Sequence, residues 1–355
     1  MELSWDQVRA RRLSRSHLVE RAPAQRLVEV VRDVCGIHAQ VMGSAELQLA
    51  ARVDGITQAD VRDALWERRE LVKTWTLRGT LHIHPADELG LWTAARRAVV
   101  GEEDYVTEDA ALVPAVVAAI GSALAGSKLT REELADAVVA QIGPGPRELL
   151  ASGWGYYLGD AAIAGVLCFG PPAGSKVTFV HPGDWLGAQR EWEPREALRE
   201  VVRRYADAYG PVTHRQFREW FTSKSLTAEF AKQLFDELDL PEVVLPPRVD
   251  GSVRLLPEYD VYVMGFRERE QLVPPGVREQ VAAHGKGRYE GPAGTPFLLV
   301  DGVCAGIWSR KKSAKRIELT VEPARKLSRA ERAGVEAEAE RIGDFLALEP
   351  VLSIG

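Results

Sequence analysis

The sequence has only three cysteines in 355 residues, Cys35, Cys168 and Cys304. Their odd number and wide separation exclude a disulfide framework and a cysteine-rich zinc site, so they read as buried or incidental thiols. No apolar run reaches membrane-spanning length, and Met1-Glu2-Leu3-Ser4-Trp5 lacks the basic-then-apolar order of a signal peptide. The expected location is cytoplasmic, with no membrane partner. Positive charge is also short: 45 Lys and Arg face 51 Asp and Glu, a net charge of −6. Phosphate binding rests on Lys and Arg, so any nucleic-acid surface has to be local. What is present is ordinary globular material, 46% apolar and 27% charged, and long enough for roughly two to four packed units.

One short stretch combines a helix stop with two closely spaced polar groups, Cys35-Gly36-Ile37-His38-Ala39-Gln40. Leu27, Val30, Val31 and Val34 precede it at helical spacing, and Gly36 supplies the left-handed position on which helices commonly end. Beyond Gly36 the chain is expected to run extended. Residues two apart then share a face, so His38 and Gln40 project together while Ile37 and Ala39 anchor the other side. A second helix is expected to restart at Ser44, an N-cap before Ala45-Glu46-Leu47. The spacing fits a candidate active site; it fits equally a histidine that caps helix carbonyls beside a solvated glutamine.

A basic helix, Val8 to Arg15, opens the chain with a face that suits phosphates or plain solvent. After the central stretch, Thr57-Gln58-Ala59-Asp60 caps a helix with Val61, Ala64 and Leu65 as its buried stripe. The hairpin that follows is Leu71 to Leu77, an Arg78-Gly79 turn, and Thr80 to His84. The pattern returns from Thr130-Arg131-Glu132-Glu133 through a helix at Ala161–Val166 to strands at Leu167–Gly170 and Lys176–Val180. It returns again from Thr213-His214-Arg215-Gln216 through helices to about Leu238, then Val243–Leu245, an Asp250-Gly251 turn and Val253–Leu256. Capped helix, further helix and hairpin make a winged helix. The fold class is therefore α+β, with three such units at 1–105, 106–193 and 194–256.

From Pro257-Glu258-Tyr259-Asp260 helix signals thin out. Tyr262–Met264 and Phe297–Val300 read as apolar strands, Asp301-Gly302 as a hairpin turn into Val303–Trp308, and Arg316–Val321 alternates like a half-buried strand. Residues 257–355 are thus expected to form a small β-barrel or curled sheet, and a last helix from about Ser328 to Leu346, starting on the capping box Ser328-Arg329-Ala330-Glu331, is expected to close the chain.

With these pieces assembled, the chain resembles the AlkZ/YcaQ-like bacterial DNA glycosylases along nearly its whole length. The resemblance is carried by Gly36-Ile37-His38-Ala39-Gln40, Leu77-Arg78-Gly79-Thr80-Leu81-His82, Leu256-Pro257-Glu258-Tyr259-Asp260, and Gly294 to Gly302. The family's catalytic motif is a polar residue, an aliphatic one, then Gln or Asp, most often beginning with Gln. His38 stands at the first position and Gln40 fits the last. The resemblance implies tandem winged helices and a C-terminal barrel around double-stranded DNA carrying alkylpurine adducts. It also implies monofunctional base excision by a monomer, with no cofactor, no metal and no obligate protein partner.

An N7-alkylated guanine is cationic and leaves neutral, so the remaining task is to steady a cationic deoxyribose and bring water to its C1′. A Gln amide can hold that water and point its oxygen at developing positive charge. A neutral imidazole can also accept a proton. His38 is therefore assigned as general base or water-orienting acceptor, and Gln40 as water positioner and oxocarbenium stabiliser. Arg310, Lys311 and Lys312, together with Lys286 and Arg288, are the candidate phosphate contacts, and Arg78 is aimed at DNA from its turn. Trp75 and His82 are candidate pocket walls. Three other readings stay open: a metal site from His38, His82 and His84, lyase chemistry through Lys73, and a non-catalytic winged-helix DNA-binding regulator.

Overall fold

The computed structural model of the protein describes residues 4–100, 110–153, 155–222, 225–240, 242–284 and 294–355. The chain divides into two units: Met1–Val61 with Tyr205–Val212 and Pro241–Gly355, and Arg62–Arg204 with Thr213–Leu240. Among the described residues no helix is long and apolar enough to cross a membrane.

Helix α1 (Trp5–Arg15) buries Val8, Ala10 and Leu13. Its arginines do not form the free basic face expected of them. Arg12 is buried and donates to the carbonyls of Tyr209 (2.7 Å) and Pro211 (3.1 Å) while pairing with Glu268 (2.9 Å). Arg11 and Arg15 both meet Asp207, and Arg9 reaches the Gln271 carbonyl at 3.2 Å. These guanidinium groups all have partners inside their own unit, and Arg12 is buried there.

Helix α2 (Leu27–Asp33) buries Leu27, Val30 and Val31, and Val34 follows on the same stripe. It ends as the glycine demands, with Cys35 at φ 62° and Gly36 at φ 93°, and with the Gly36 N–H donating to the Val31 carbonyl at 2.8 Å. The extended stretch β1 (Ile37–His38) leads to α3 (Met42–Ala50). The helix therefore starts before Ser44, whose buried hydroxyl donates to the Glu258 carbonyl instead of capping. Helix α4 (Gln58–Trp66) begins as predicted, the Thr57 N–H and hydroxyl each donating to the Asp60 carboxylate at 2.7 Å.

Strands β2 (Leu71–Trp75) and β3 (Leu81–Pro85) form the expected hairpin, Trp75 opposite Leu81, and lead into α5 (Leu89–Arg97). Next come α6 (Val113–Leu124), β4 (Lys128–Thr130), α7 (Arg131–Ile142), α8 (Tyr156–Ile163), β5 (Cys168–Ala173) and β6 (Lys176–Val180). The strands form an antiparallel sheet in the order β4-β6-β5. The Thr130–Glu133 capping box starts α7, and the core joins Ile120, Leu134, Val138, Tyr157, Phe169 and Phe179. Helix α9 (Pro194–Tyr209) then leads to α10 (His214–Phe221), capped by Thr213 and Gln216, and α11 (Ala228–Asp236), capped by Thr227.

The third hairpin does not form. Residues 242–250 carry no strand, and Val244 is 83% exposed with nothing to bury it. Strand β7 (Val253–Leu256) pairs antiparallel with a different partner, Leu256 opposite Phe297, because that apolar run offers a ladder and a core at once. Tyr262–Met264 is not a strand either: it lies in the short helix α12 (Val261–Gly265), capped by the Asp260 carboxylate accepting from the Tyr262 N–H at 2.8 Å. A short continuous apolar run has no periodicity to tell strand from helix, and the cap decides.

Two further helices, Arg269–Leu272 and Pro275–His284, follow where few were expected, and then come β8 (Phe297–Val300), β9 (Val303–Lys312), β10 (Arg316–Pro323), α13 (Arg329–Leu346) and β11 (Glu349–Ile354). Asp301 (φ 49°) and Gly302 (φ 80°) make the predicted tight turn. The sheet order is β11-β10-β9-β8-β7, an open, curled half-barrel: of the two forms expected, the curled sheet and not a closed β-barrel. Helix α13 packs against both edge strands, occupying the space across which they would have to meet. It carries the predicted Ser328–Glu331 capping box but does not close the chain. Ala347 stops it at φ 52°, and β11 then pairs in parallel with β10.

Candidate active site

In the first unit His38 is 4% exposed, while Gln40 is exposed two residues on. The extended stretch ends at His38, and Gln40 lies in the bend leading to α3, so strand alternation does not set their common direction as the sequence suggested. What fixes the His38 backbone is Gln48 on α3, fully buried, whose Nε2 donates to the His38 carbonyl at 3.0 Å. Its Oε1 accepts from the Val261 N–H at 3.3 Å. One amide side chain thus joins the His38 loop to the Leu256–Asp260 segment, and the Ser44 hydroxyl adds a second tie at Glu258.

That segment is itself clamped. Glu258 accepts from both terminal nitrogens of Arg310 at 2.8 Å, and Asp260 accepts from both of Arg52 at 2.7 and 2.8 Å. Arg52 and Asp260 are both fully buried. Fork-on-carboxylate pairs of this kind fix geometry as well as charge. Between them Tyr259 sits at φ 60°, and its ring lies 5.1 Å from the His38 ring with the planes 33° apart. A left-handed non-glycine residue costs about 1–2 kcal/mol. Sequence reasoning singled out this segment but gave it no role; the available signal was a tyrosine between two carboxylates directly after a proline.

The arrangement brings a buried imidazole against an aromatic ring, with an exposed carboxamide two residues away. Such groups can orient a water, accept its proton and face a developing cation.

The remaining predicted residues are placed as follows. Trp75, 5% exposed, lies in the core of the second unit, its ring 5.0 Å from that of Phe169, so it is packed where a pocket wall was expected. Arg78 does not reach out from its turn: it donates to the Trp220 carbonyl (2.8 Å) and to Nε2 of His82 (3.1 Å). A guanidinium only donates, so that nitrogen of His82 accepts and Nδ1 carries the proton towards the Thr80 carbonyl, 3.1 Å away. His82 is fully buried in this role rather than lining an open pocket. Arg310 is committed to Glu258, whereas Lys311 and Lys312 are exposed at the end of β9. Lys286 and Arg288 lie outside the described residues. Lys73 is buried with its Nζ 4.9 Å from the Phe169 ring centre. The metal alternative loses its donors to other partners, since His84 meets the Thr76 hydroxyl at 2.9 Å and stacks on Trp92. Among the described residues no group of three or more His, Cys, Asp or Glu stands together to hold a metal ion.

His84 has a consequence for stability. Burial, reinforced by the Arg204 charge, pushes its imidazole down to about 3. The unfolded chain takes up the same proton near the ordinary value of about 6.5, so the unfolded state binds more protons between these limits. Stability therefore falls as pH drops from about 6.5 towards 3, with about 2 kcal/mol lost by pH 5. Urea titrations at pH 7.5 and 5 measure the loss. A His84→Phe variant should lose correspondingly less, and an equal loss in both proteins assigns the effect elsewhere.

Comparison with known proteins meets this geometry. A family model described as "DNA glycosylase AlkZ-like" matches residues 31–345. An interstrand DNA cross-link repair glycosylase of Streptomyces sahachiroi is 31% identical, the match covering 96% of each chain. The solved structure of the Streptomyces sahachiroi DNA glycosylase AlkZ superimposes with a TM-score of 0.83 at 29% identity, covering 100% of both chains. The chain belongs to the AlkZ-like DNA glycosylase family, hydrolases that act on N-glycosyl bonds.

Proposed function

We propose that the chain is a monofunctional DNA glycosylase that hydrolyses the N-glycosidic bond of bulky N7-alkylguanine or related alkylpurine adducts in double-stranded DNA. Its setting is the repair of, or self-resistance to, a genotoxic natural product. The observation that carries the reading is the His38 loop: its backbone is held by Gln48, its imidazole lies against the Tyr259 ring, and Gln40 is exposed two residues on along the same connection. The similarity to a cross-link repair glycosylase supports the substrate class.

Because the adducted base is already cationic, no acid has to protonate it and no metal has to polarise it. His38 accepts the proton of the attacking water, and Gln40 holds that water and faces the positive charge growing on the sugar. The protein acts as a monomer without an obligate partner. Segments 1–105, 106–193 and 194–256 serve as winged-helix modules, the last without its wing, ahead of the 257–355 half-barrel. Lys311 and Lys312 meet phosphates, an interaction that weakens with salt.

The test is incubation with duplexes carrying different N7-guanine adducts, scoring released modified base and strand integrity. Release of the base with an intact abasic strand, and no complex trapped by borohydride, is the expected result. Tight binding of undamaged duplex with no release from any adduct would leave only a DNA-binding regulator.

A further inference from the structure

Two arginine–carboxylate clamps flank a single residue. Arg310 fixes Glu258 and Arg52 fixes Asp260, each through two hydrogen bonds of 2.7–2.8 Å. Tyr259 between them is held at φ 60°, where an L residue other than Gly, Asn or Asp persists only if its neighbours over-determine the backbone. Here they do. Both flanking side chains are anchored, and Asp260 also accepts from the Tyr262 N–H, so the peptides around Tyr259 have no slack to return to a right-handed conformation. If only the turn were needed, glycine would make it without strain. A tyrosine kept there points to a use for the ring. The ring lies 5.1 Å from the His38 imidazole, and Gln48 references both segments to one amide by holding the His38 carbonyl and the Val261 N–H.

We infer that Tyr259 is a positioning residue: its aromatic face is the wall that holds the His38 imidazole in the one orientation from which it can take a proton from water. The inference rests on the role proposed above for His38. The ring lies against the imidazole, so in this role it acts through His38.

Three substitutions separate ring, hydroxyl and backbone. Tyr259→Phe keeps the ring, Tyr259→Ala removes it and leaves the strain, and Tyr259→Gly removes both; Tyr259→Asn, which tolerates the left-handed conformation, is the second probe should the glycine variant fold poorly. Single-turnover excision from an N7-alkylguanine duplex should fall about 10- to 100-fold in Tyr259→Gly and Tyr259→Asn, the size of effect that a misplaced catalytic group produces. Duplex Kd should stay within about twofold, and the unfolding midpoint of Tyr259→Gly should lie at or above that of Tyr259→Ala. Tyr259→Phe should remain within about threefold of the parent rate, because the ring beside the imidazole is unchanged. The double variant His38→Ala/Tyr259→Gly should be no slower than His38→Ala alone. The inference is overturned if Tyr259→Gly and Tyr259→Asn excise at the parent rate, if Tyr259→Phe is as slow as they are, or if the double variant shows the full product of the two losses. A slow His38→Ala with a fast Tyr259→Gly removes this inference and leaves the chemistry of His38 standing. A His38→Ala protein at the parent rate removes both.

Discussion

His38→Ala should excise an N7-alkylguanine about 10²–10⁴-fold more slowly than the parent in single turnover, the range typical of losing a general base. The expectation follows from what the reaction still needs. With a cationic base as leaving group, bond cleavage leaves a cationic sugar, and the barrier that remains is the delivery of a deprotonating water to its C1′. Gln40 can orient that water but has no basic nitrogen, so it does not replace the imidazole. Duplex affinity should change little, because the His38 ring is buried beside Tyr259 and makes at most a minor contact surface. His38→Gln separates the two roles: an amide restores water orientation without proton acceptance, and the variant should fall between parent and alanine. An unchanged rate in His38→Ala takes the residue out of the mechanism.

The second large effect is on stability. Arg52→Ala should destabilise the protein by about 3–5 kcal/mol, because it leaves the Asp260 carboxylate at 0% exposure with its counter-charge gone. The Tyr262 N–H remains as a donor to Asp260 but carries no charge to offset it. Replacing both partners, as in Arg52→Met/Asp260→Leu, should be far less harmful and even neutral, since no buried charge is then left alone. The pair is thus kept for what it positions, the Tyr259 backbone and the cap of α12, more than for net stability. Urea unfolding of the single and double variants separates these terms through the midpoint at constant slope. A loss below about 1 kcal/mol in Arg52→Ala would mean that water reaches Asp260 and that the clamp is not dry.

The local parts of this fold could be read directly. The helix starts at Thr57, Thr130, Thr213 and Ser328 are written in four adjacent residues each, and the stop at Gly36 needs only one. The alternation from Arg316 to Val321 exposes one face and buries the other as its period requires. What escaped reading depends on partners distant in sequence. Val253–Leu256 could pair with any apolar run, and only the packed sheet selects Phe297–Val300 over Val243–Leu245. Arg310 and Lys311 look alike as charges in a basic cluster, yet Glu258 captures the first and leaves the second in solvent. The same holds at the candidate site: His38 and Gln40 were visible from a helix stop followed by two polar groups. Nothing local says that a tyrosine more than two hundred residues later supplies the wall beside the imidazole, or that Gln48 holds both segments.

The most direct measurement is the pH dependence of single-turnover excision of an N7-alkylguanine, for the parent and for His38→Gln. N7 alkylation makes the guanine N1–H more acidic, so the substrate itself adds a limb on the alkaline side, common to both proteins, and none on the acid side. The parent rate should fall with unit slope as acid protonates the imidazole and blocks it as a base, and that limb should be missing from the slower His38→Gln profile. A flat profile in the parent, or the same acid limb in both proteins, would contradict a mechanism in which His38 takes the proton from the water that attacks C1′.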